Sequence, residues 1–483
     1  MTRDPGTAST DPTDGTGPTD DTGPTAAPPK TASAGPAGHT ATGGGPATGD
    51  GTAAGHGAVP TGPERAVPAA PRRTGLRRIA VVAAVAGPGL VAANAGNDAA
   101  GIATYASAGA QYTYGTLFFM VLVTCALVMV QEMAVRLGAH TGKGLGALIR
   151  EQFSLRLTAL AVFCLLLANT GLVVSEFAGI GAAFELLGVP KWAVIPPAAV
   201  LLWALVLFGS YHWAERIFLI MSLAFFAYPV AMILGHPDWG AVGHHLVVPH
   251  IEPNKDFVLL AVALIGTTVS PYMQFYAAAG VVDRGARPAD YRLIRADAVL
   301  GAVFACVVSL TIIVATASAI GGSGPLRSAA QAARALEPVA GKQAELLFAL
   351  GLLGASALAG AVVPLSASYA VGEAVGVERS VSRSFRDAPL FLGLFTAQIL
   401  LGAAVALTPV DVIQLLIGTQ VLQGLISPVI LVYLLVLTNR RSLLGDAVNG
   451  PRHRVAATVV VVGVAGMSTV LLVQTVLSWF GLA

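Results

Sequence analysis

The amino-acid sequence predicts an all-α integral membrane protein with two inverted sets of five helices, broken helices one and six, and an eleventh transmembrane helix. Three observations lead there. Hydrophobic residues make up 55% of the chain and charged ones 11%, with a mean hydropathy of +0.72, more apolar surface than a soluble core of this length buries. From Arg78 onward, apolar runs of 18 or more residues alternate with short polar connections, the length that crosses about 30 Å of hydrocarbon. Two of these runs, the first and the sixth, are interrupted by polar, Gly or Pro residues.

Residues 1–77 are expected to be a disordered cytoplasmic tail. Up to about residue 75 they are Thr, Ala, Gly, Pro and Asp without Phe, Trp, Tyr or Ile, a mixture that cannot bury enough apolar surface to offset chain entropy. No short apolar signal core follows Met1, so the first span is expected to serve as the insertion signal. The membrane domain then occupies 78–483. Its expected spans are 80–113, 115–136, 157–186, 192–210, 216–235, 256–282, 293–320, 343–376, 389–408, 411–437 and 455–480. The third and eighth exceed a simple crossing and call for tilt or an interfacial extension.

Charge placement supports this count. With the N-terminus cytoplasmic, 23 of the 28 Lys and Arg fall on the inside, and Lys191, Lys255, Arg327, Arg334 and Lys342 fall outside. That asymmetry fits the positive-inside rule and an odd number of crossings, with Ala483 outside. The net charge of +2 gives no reason to expect nucleic acid. Cys125, Cys164 and Cys306 sit in apolar runs without CxxC or His-rich spacing, which speaks against a disulfide framework or a zinc site.

Two sets of five helices invert the second set, so the first and sixth spans correspond. Both carry the interruption: Gly96-Asn97-Asp98-Ala99-Ala100-Gly101 in one, Thr267-Thr268-Val269-Ser270-Pro271-Tyr272 in the other. Paired broken helices in inverted halves point to an ion or substrate site at mid-membrane, formed by half-helix ends and unwound carbonyls. Pro271 has no N–H and frees carbonyls near Thr267. Asp98, inside the bilayer, costs at least ~2.5 kcal/mol and calls for a partner such as a cation. It also has a purely structural use, capping the half-helix that starts at Ala99. Asn94 and Asn97 have the same alternative of satisfying freed backbone groups, and Ser270 that of plain packing.

The stretch "GPGLVAANAGNDAAGIATYASAGAQYTYG", Gly87 to Gly115, resembles the first helix of the NRAMP divalent-metal transporters, and the similarity runs from about Arg78 to Leu437. The resemblance implies a LeuT-like inverted repeat, usually of eleven or twelve helices, with the metal held by Asp-Pro-Gly-Asn in helix one and Met-Pro-His in helix six. Aligned from Gly87-Pro88-Gly89, the family's aspartate falls on Asp98 and its asparagine on Gly101. In "GTTVSPYMQFY", Ser270 stands at the methionine, Tyr272 at the histidine, and Thr267 at the residue that offers a backbone carbonyl. In "TQVLQGLISP", Gln420 matches a glutamine that approaches the metal. The implied metal site is thus Asp98, Gly101, Thr267, Ser270 and Gln420, surrounded by Asn94, Asn97, Tyr272 and Glu176.

The departures carry information. A methionine thioether favours transition metals over alkaline-earth ions, and here a hard hydroxyl replaces it. Gly at 101 removes an oxygen ligand and widens the site, which suits Mg²⁺, an ion that keeps several waters. The pattern is similar to the NRAMP-related magnesium transporters, which also carry Mn²⁺. Ordinary members carry acidic residues on helix three for proton transfer. With Glu176 placed on one of them, Val173 and Leu166 stand at two others, and Ala277 stands where helix six would have a second histidine. The expectation is therefore uncoupled divalent transport driven by the membrane potential, worth about 4.6 kcal/mol per divalent ion per 100 mV, or about three decades of gradient.

Weaker signals remain. The connection "GHPDWGAVGHHLVVPHIEPNKD" holds His236, His244, His245 and His250, where imidazoles either capture metal or are simply solvated. Glu132 and Asp411 read as interfacial or capping groups, and the basic clusters at Arg284 to Arg295 and Arg440 to Arg454 as topology signals that touch anionic lipid. The expected partners are a divalent cation, Mg²⁺ or Mn²⁺, as substrate and the lipid bilayer. No resident cofactor, nucleic acid or enzymatic activity is expected, and the setting is the plasma membrane. The rivals are a proton-coupled Mn²⁺/Fe²⁺ importer of ordinary NRAMP type, a transport-inactive sensor on the same scaffold, and an amino-acid symporter, which a fixed anionic Asp98 disfavours.

Overall fold

Asp98 opens the described part of the chain, and its carboxylate explains why a helix starts there. A computed structural model describes residues 98–208, 217, 220–221, 223–252, 254–285, 287–376 and 388–479. The tail, Asn94, Asn97 and the first half of the first span lie outside the described residues. Asp98 has extended backbone (φ −70°, ψ 174°) and its side chain accepts from the Gly101 N–H, an N-cap for α1, Ala99–Tyr112. At 14 residues, α1 is about 21 Å long and cannot cross the hydrocarbon alone.

The chain continues through α2 (Leu117–Thr141), α3 (Leu145–Gln152), α4 (Leu155–Leu186) and α5 (Lys191–Leu207). Gly142, at φ 63°, closes α2 in the left-handed conformation that glycine adopts without strain. Next come α6 (Ala227–Leu234), α7 (Trp239–Val247), α8 (Lys255–Thr268), α9 (Pro271–Asp283) and α10 (Tyr291–Ile320). The last long helices are α11 (Ala344–Val375), α12 (Pro389–Ala406), α13 (Val412–Thr438) and α14 (Pro451–Trp479). Among the described residues, eight helical stretches are long and apolar enough to cross a membrane, with Lys191–Leu207 and Leu223–Leu234 as shorter apolar ones. With α1, they fall on the eleven expected spans.

The sixth span is divided as its sequence predicts. Asn254 caps α8 by accepting from the Phe257 N–H at 2.7 Å, and α8 stops at Thr268. Pro271 is the first residue of α9, the helical position where a missing N–H does no harm. Around this break, α1 packs against α8, α10 and α13, and the 32-residue helices α4 and α11 lie along each other. Asp411 caps α13 through the Gln414 N–H at 3.0 Å, in keeping with its reading as a capping group.

Glu132 is different. It is not an interfacial group but is buried with an ion pair to Arg136 at 3.3 Å. The Tyr291 hydroxyl donates to Glu132, and Nε2 of His453 lies 3.4 Å from its other oxygen. Arg136 reaches the Ala447 carbonyl at 3.2 Å and the Asn449 side chain. Arg136 therefore belongs to a buried lattice joining α2, α10 and the start of α14, rather than to a solvated basic connection. In an apolar environment such a pair is held by mutual neutralisation, and removing one member leaves the other charged and buried.

Glu132→Ala should therefore destabilise the purified protein by about 3 kcal/mol. Glu132→Ala with Arg136→Ala should cost less than the sum of the single changes, because each single change strands a charge. Thermal unfolding of the three variants checks this, and additive losses would show that the two side chains act independently.

Candidate functional site

The site grows from the N-cap of α1 and the break between α8 and α9. Asp98 is 2% exposed. Its Oδ1 accepts from Gly101 N at 2.5 Å, and Nε2 of Gln420 on α13 stands 3.4 and 3.5 Å from its two oxygens. Gly101 contributes its backbone N–H and no side chain. The amide oxygen of Gln420, Oε1, is buried without a hydrogen-bond partner.

Two opposed glycines bring Gln420 to the break. A Cβ on Gly266 of α8 would overlap the Gln420 carbonyl, and one on Gly424 of α13 would overlap the Val262 carbonyl. Only a pair of bare backbones allows α8 and α13 this close. The spacing of polar residues gives no hint of it; a glycine on each of two facing helices is the one signal the sequence held.

Thr267 ends α8 one residue before its last, and its carbonyl is the one that Pro271 would have satisfied had it carried an N–H. Thr267 is buried, and its hydroxyl oxygen has no hydrogen-bond partner. Ser270 turns its hydroxyl back along the chain, donating to the Gly266 carbonyl at 2.5 Å and approaching that of Thr267 at 3.4 Å. A hydroxyl that donates its proton in this way still has lone pairs to offer. Tyr272 is buried in the first turn of α9.

Glu176 lies on α4, fully buried beside Ala99 and Ser356 and within electrostatic reach of Asp98. Neither of its carboxylate oxygens has a partner of hydrogen-bonding geometry. Among the described residues, neither Asp98 nor Glu176 forms an ion pair with Lys, Arg or His. The structure thus sets Gly101 and Gln420 against Asp98, with Glu176 and Tyr272 within its electrostatic reach. Thr267 and Ser270 flank the α8/α9 break beside Gly266, which touches Gln420, while Asn94 and Asn97 lie outside the described residues. The groups this cluster offers are oxygen acceptors: carboxylates, an amide oxygen, a freed carbonyl and hydroxyls. Such a set attracts a cation and repels an anion. Among the described residues no three His, Cys, Asp or Glu side chains form a ready metal cage, so a cation here would rest mainly on one carboxylate and neutral oxygens.

Away from the break, the interior along α4 is polar without being acidic. Val173 is buried against Gly402 of α12. One turn earlier, Asn169 is buried with neither amide atom hydrogen-bonded, and Nε2 of Gln423 donates to the Ala168 carbonyl at 3.0 Å. Gln274 and Gln398 are likewise buried with an unpartnered amide oxygen each. Sequence reasoning misses these amides because isolated Asn and Gln within apolar spans carry no spacing pattern.

In the connection between α6 and α8, His244, His245 and His250 stand together, with ring centroids 5.3 Å apart for the first pair and 5.9 Å for the second. Partial burial, and then the neighbouring His244 and His250, hold the His245 imidazole below its ordinary pKa. His236 adopts φ 48°.

The sequence and fold have counterparts among known proteins. Residues 89–474 match the family model described as natural resistance-associated macrophage protein-like. The chain belongs to the Nramp family. It is 29% identical over 407 residues to the divalent metal cation transporter MntH of Burkholderia ambifaria, covering 81% of this chain and 89% of that one. To MntH of Yersinia enterocolitica it is 28% identical over 407 residues, covering 81% and 95%. The crystal structure of the Eremococcus coleocola manganese transporter superposes with a TM-score of 0.65 at 17% identity, over 85% of this chain and 90% of the other. The all-α, LeuT-like inverted-repeat fold expected from the sequence is the fold of this Nramp chain.

Within this Nramp chain, Gly266→Val should force α8 away from Gln420 and destabilise the protein by about 1–3 kcal/mol through overpacking. Thermal unfolding with gel filtration checks it. Unchanged stability would mean that the close approach of α8 and α13 is not a constraint.

Proposed function

We propose that this chain carries divalent cations across the plasma membrane by alternating access, with the cation held at the break between α1 and α8/α9. The observation that carries the reading is a buried carboxylate, Asp98, that meets only the Gly101 N–H and the Gln420 amide as donors and no cationic side chain among the described residues. A buried carboxylate, the unpartnered amide oxygen of Gln420 and the carbonyl released by Pro271 meet at the same break, with no cationic side chain among the described residues to neutralise them. Asp98 supplies the charge, the Thr267 carbonyl and Ser270 supply neutral oxygens, and Gln420 closes the site from α13. Its amide rotates, or exchanges Nε2 for Oε1, to offer the oxygen to an ion. The match to the Nramp family supports the class of substrate, as do the divalent metal cation transporters among its relatives.

The cargo is a partly hydrated Mg²⁺ or Mn²⁺. Oxygen donors, a hydroxyl at 270 and a side-chain-free position at 101 favour hard ions that keep part of their water. Transport is not coupled to protons. Apart from Glu176, the interior along α4 holds amides and Val173 where a relay would need further titratable groups, and an amide neither takes up nor passes a proton. By this reading the chain stands nearest to the NRAMP-related magnesium transporters, with the N-terminus cytoplasmic and Ala483 outside. Residues 1–77 serve as a cytoplasmic tail to the transporter domain 78–483.

A second reading, a proton-coupled importer of ordinary Nramp type, has one observation in its favour. Glu176 is fully buried within electrostatic reach of Asp98 and pairs with no cationic side chain among the described residues, as a proton-accepting carboxylate would be.

Asp98→Ala should abolish Mg²⁺ and Mn²⁺ uptake into proteoliposomes while leaving the protein folded, since the change removes a buried charge from the core. Normal Mn²⁺ flux in that variant would take Asp98 out of the mechanism. Gly101→Asn with Ser270→Met should shift the ratio of Mn²⁺ or Cd²⁺ to Mg²⁺ uptake upward by tenfold or more, about 1.4 kcal/mol of differential binding. An unchanged ratio in the double variant would show that positions 101 and 270 do not set the choice of ion.

A further inference from the structure

We propose a second metal site in this chain, in the connection between α6 and α8, formed by the imidazoles of His245 and His250 with His244 as the third donor. It takes transition ions of the Zn²⁺, Ni²⁺ and Cu²⁺ class rather than Mg²⁺.

The local fold builds it. Asp238 accepts from the N–H groups of Gly240 and Ala241 and starts α7, which carries His244 and His245 in its last turn. The helix ends as Val248 N donates to the His244 carbonyl at 2.9 Å, and the chain then returns His250 to His245. Both neighbouring ring pairs stand nearly perpendicular, at 88° and 90°, with centroids 5.3 and 5.9 Å apart. Two imidazoles on one tetrahedral ion, each with a metal–nitrogen bond of about 2.0–2.1 Å, place their ring centroids about 5 to 6 Å apart. The resting spacing is therefore already that of a bound pair. Nδ1 of His245 is buried and has no hydrogen-bond partner, a nitrogen with its lone pair or proton unused inside the cluster.

The orientation of His250 is held from two sides. Its Nε2 lies 3.1 Å from Oε1 of Glu252, the carboxylate–imidazole arrangement that fixes the ring of a metal ligand and raises its basicity. Its ring also packs on Gly115, where a Cβ would come within 2.8 Å of the imidazole. The other oxygen of Glu252 accepts from Asn254 at 2.9 Å, and Asn254 is the cap of α8. No three donors converge at rest among the described residues, so the ion draws in His244, whose side chain is exposed on the surface. α8 is 14 residues long, which puts this cluster about 20 Å from the break at Ser270.

The two sites differ in chemistry. Imidazole nitrogens favour Zn²⁺, Ni²⁺ and Cu²⁺, whereas Mg²⁺ seeks oxygen and sheds water reluctantly. The histidine site thus captures ions that the oxygen-lined break does not select, and it stands whether or not the break is the transport site. An ion bound there ties the connection to the first turn of α8 through His250, Glu252 and Asn254.

The test is calorimetric titration of ZnCl₂ into the full-length Asp98→Ala protein with any affinity tag removed, which silences the break. A single Zn²⁺ equivalent should bind and should survive millimolar Mg²⁺. His245→Ala with His250→Ala should weaken it at least tenfold, and His245→Gln alone should do so too if the double variant is unstable. Glu252→Gln should weaken it with the fold intact by circular dichroism. Zn²⁺ affinity unchanged in the histidine variants, or full displacement by Mg²⁺, would overturn the proposal.

Discussion

A carboxylate placed within a bilayer costs about 2.5–3.5 kcal/mol on insertion scales, and the fold offsets that cost for Asp98 by arranging donors on one side of it. Asp98 caps α1, so the orphan N–H groups and the positive end of that helix face the carboxylate. Gln420 adds an amide N–H from α13, and it reaches there because Gly266 and Gly424 let two backbones touch. The Gln420 amide oxygen has no hydrogen-bond partner of its own, and the carboxylate of Glu176 lies within electrostatic reach. On the reading proposed above, a cation would complete the neutralisation of this half-stabilised aspartate.

The same reasoning separates what this chain holds rigid from what it leaves open. Glu132 and Arg136 also form a charge pair inside the bundle, but there the partners neutralise each other and Tyr291 and His453 close around them. Such a pair stabilises one arrangement of α2, α10 and α14. Asp98 and Glu176 are two buried carboxyl groups without an ion pair among the described residues, which is the opposite arrangement.

Much of the fold was legible because membrane helices announce themselves by length and hydropathy, and because Pro271 and Asp98 interrupt their spans in corresponding places. Asp98, Thr267 and Ser270 were singled out by the same interruptions, and Gly101, Gln420 and Glu176 only by the family resemblance; the structure sets Gly101 and Gln420 against Asp98. The orientation of the Ser270 hydroxyl was not, since a serine looks the same in sequence whether it donates to Gly266 or faces an ion. The Gly266–Gly424 approach and the buried amides of Asn169 and Gln423 were missed for a related reason. In a span where both lipid-facing and interior positions are apolar, periodicity does not separate the two faces, and single small or polar residues carry no register. Glu132 was misplaced because its position near a helix end suggested water, whereas α14 returns to cover it.

Charge movement tests the central claim most directly, because an uncoupled carrier with one carboxylate and neutral oxygens moves two charges per ion and no protons. In proteoliposomes holding a pH-sensitive dye, Mn²⁺ influx should rise with an inside-negative potential while luminal pH stays constant, and an outside-acid gradient should not accelerate it. Metal-dependent acidification of the lumen, surviving leak controls and lost in Asp98→Ala, would contradict uncoupled transport.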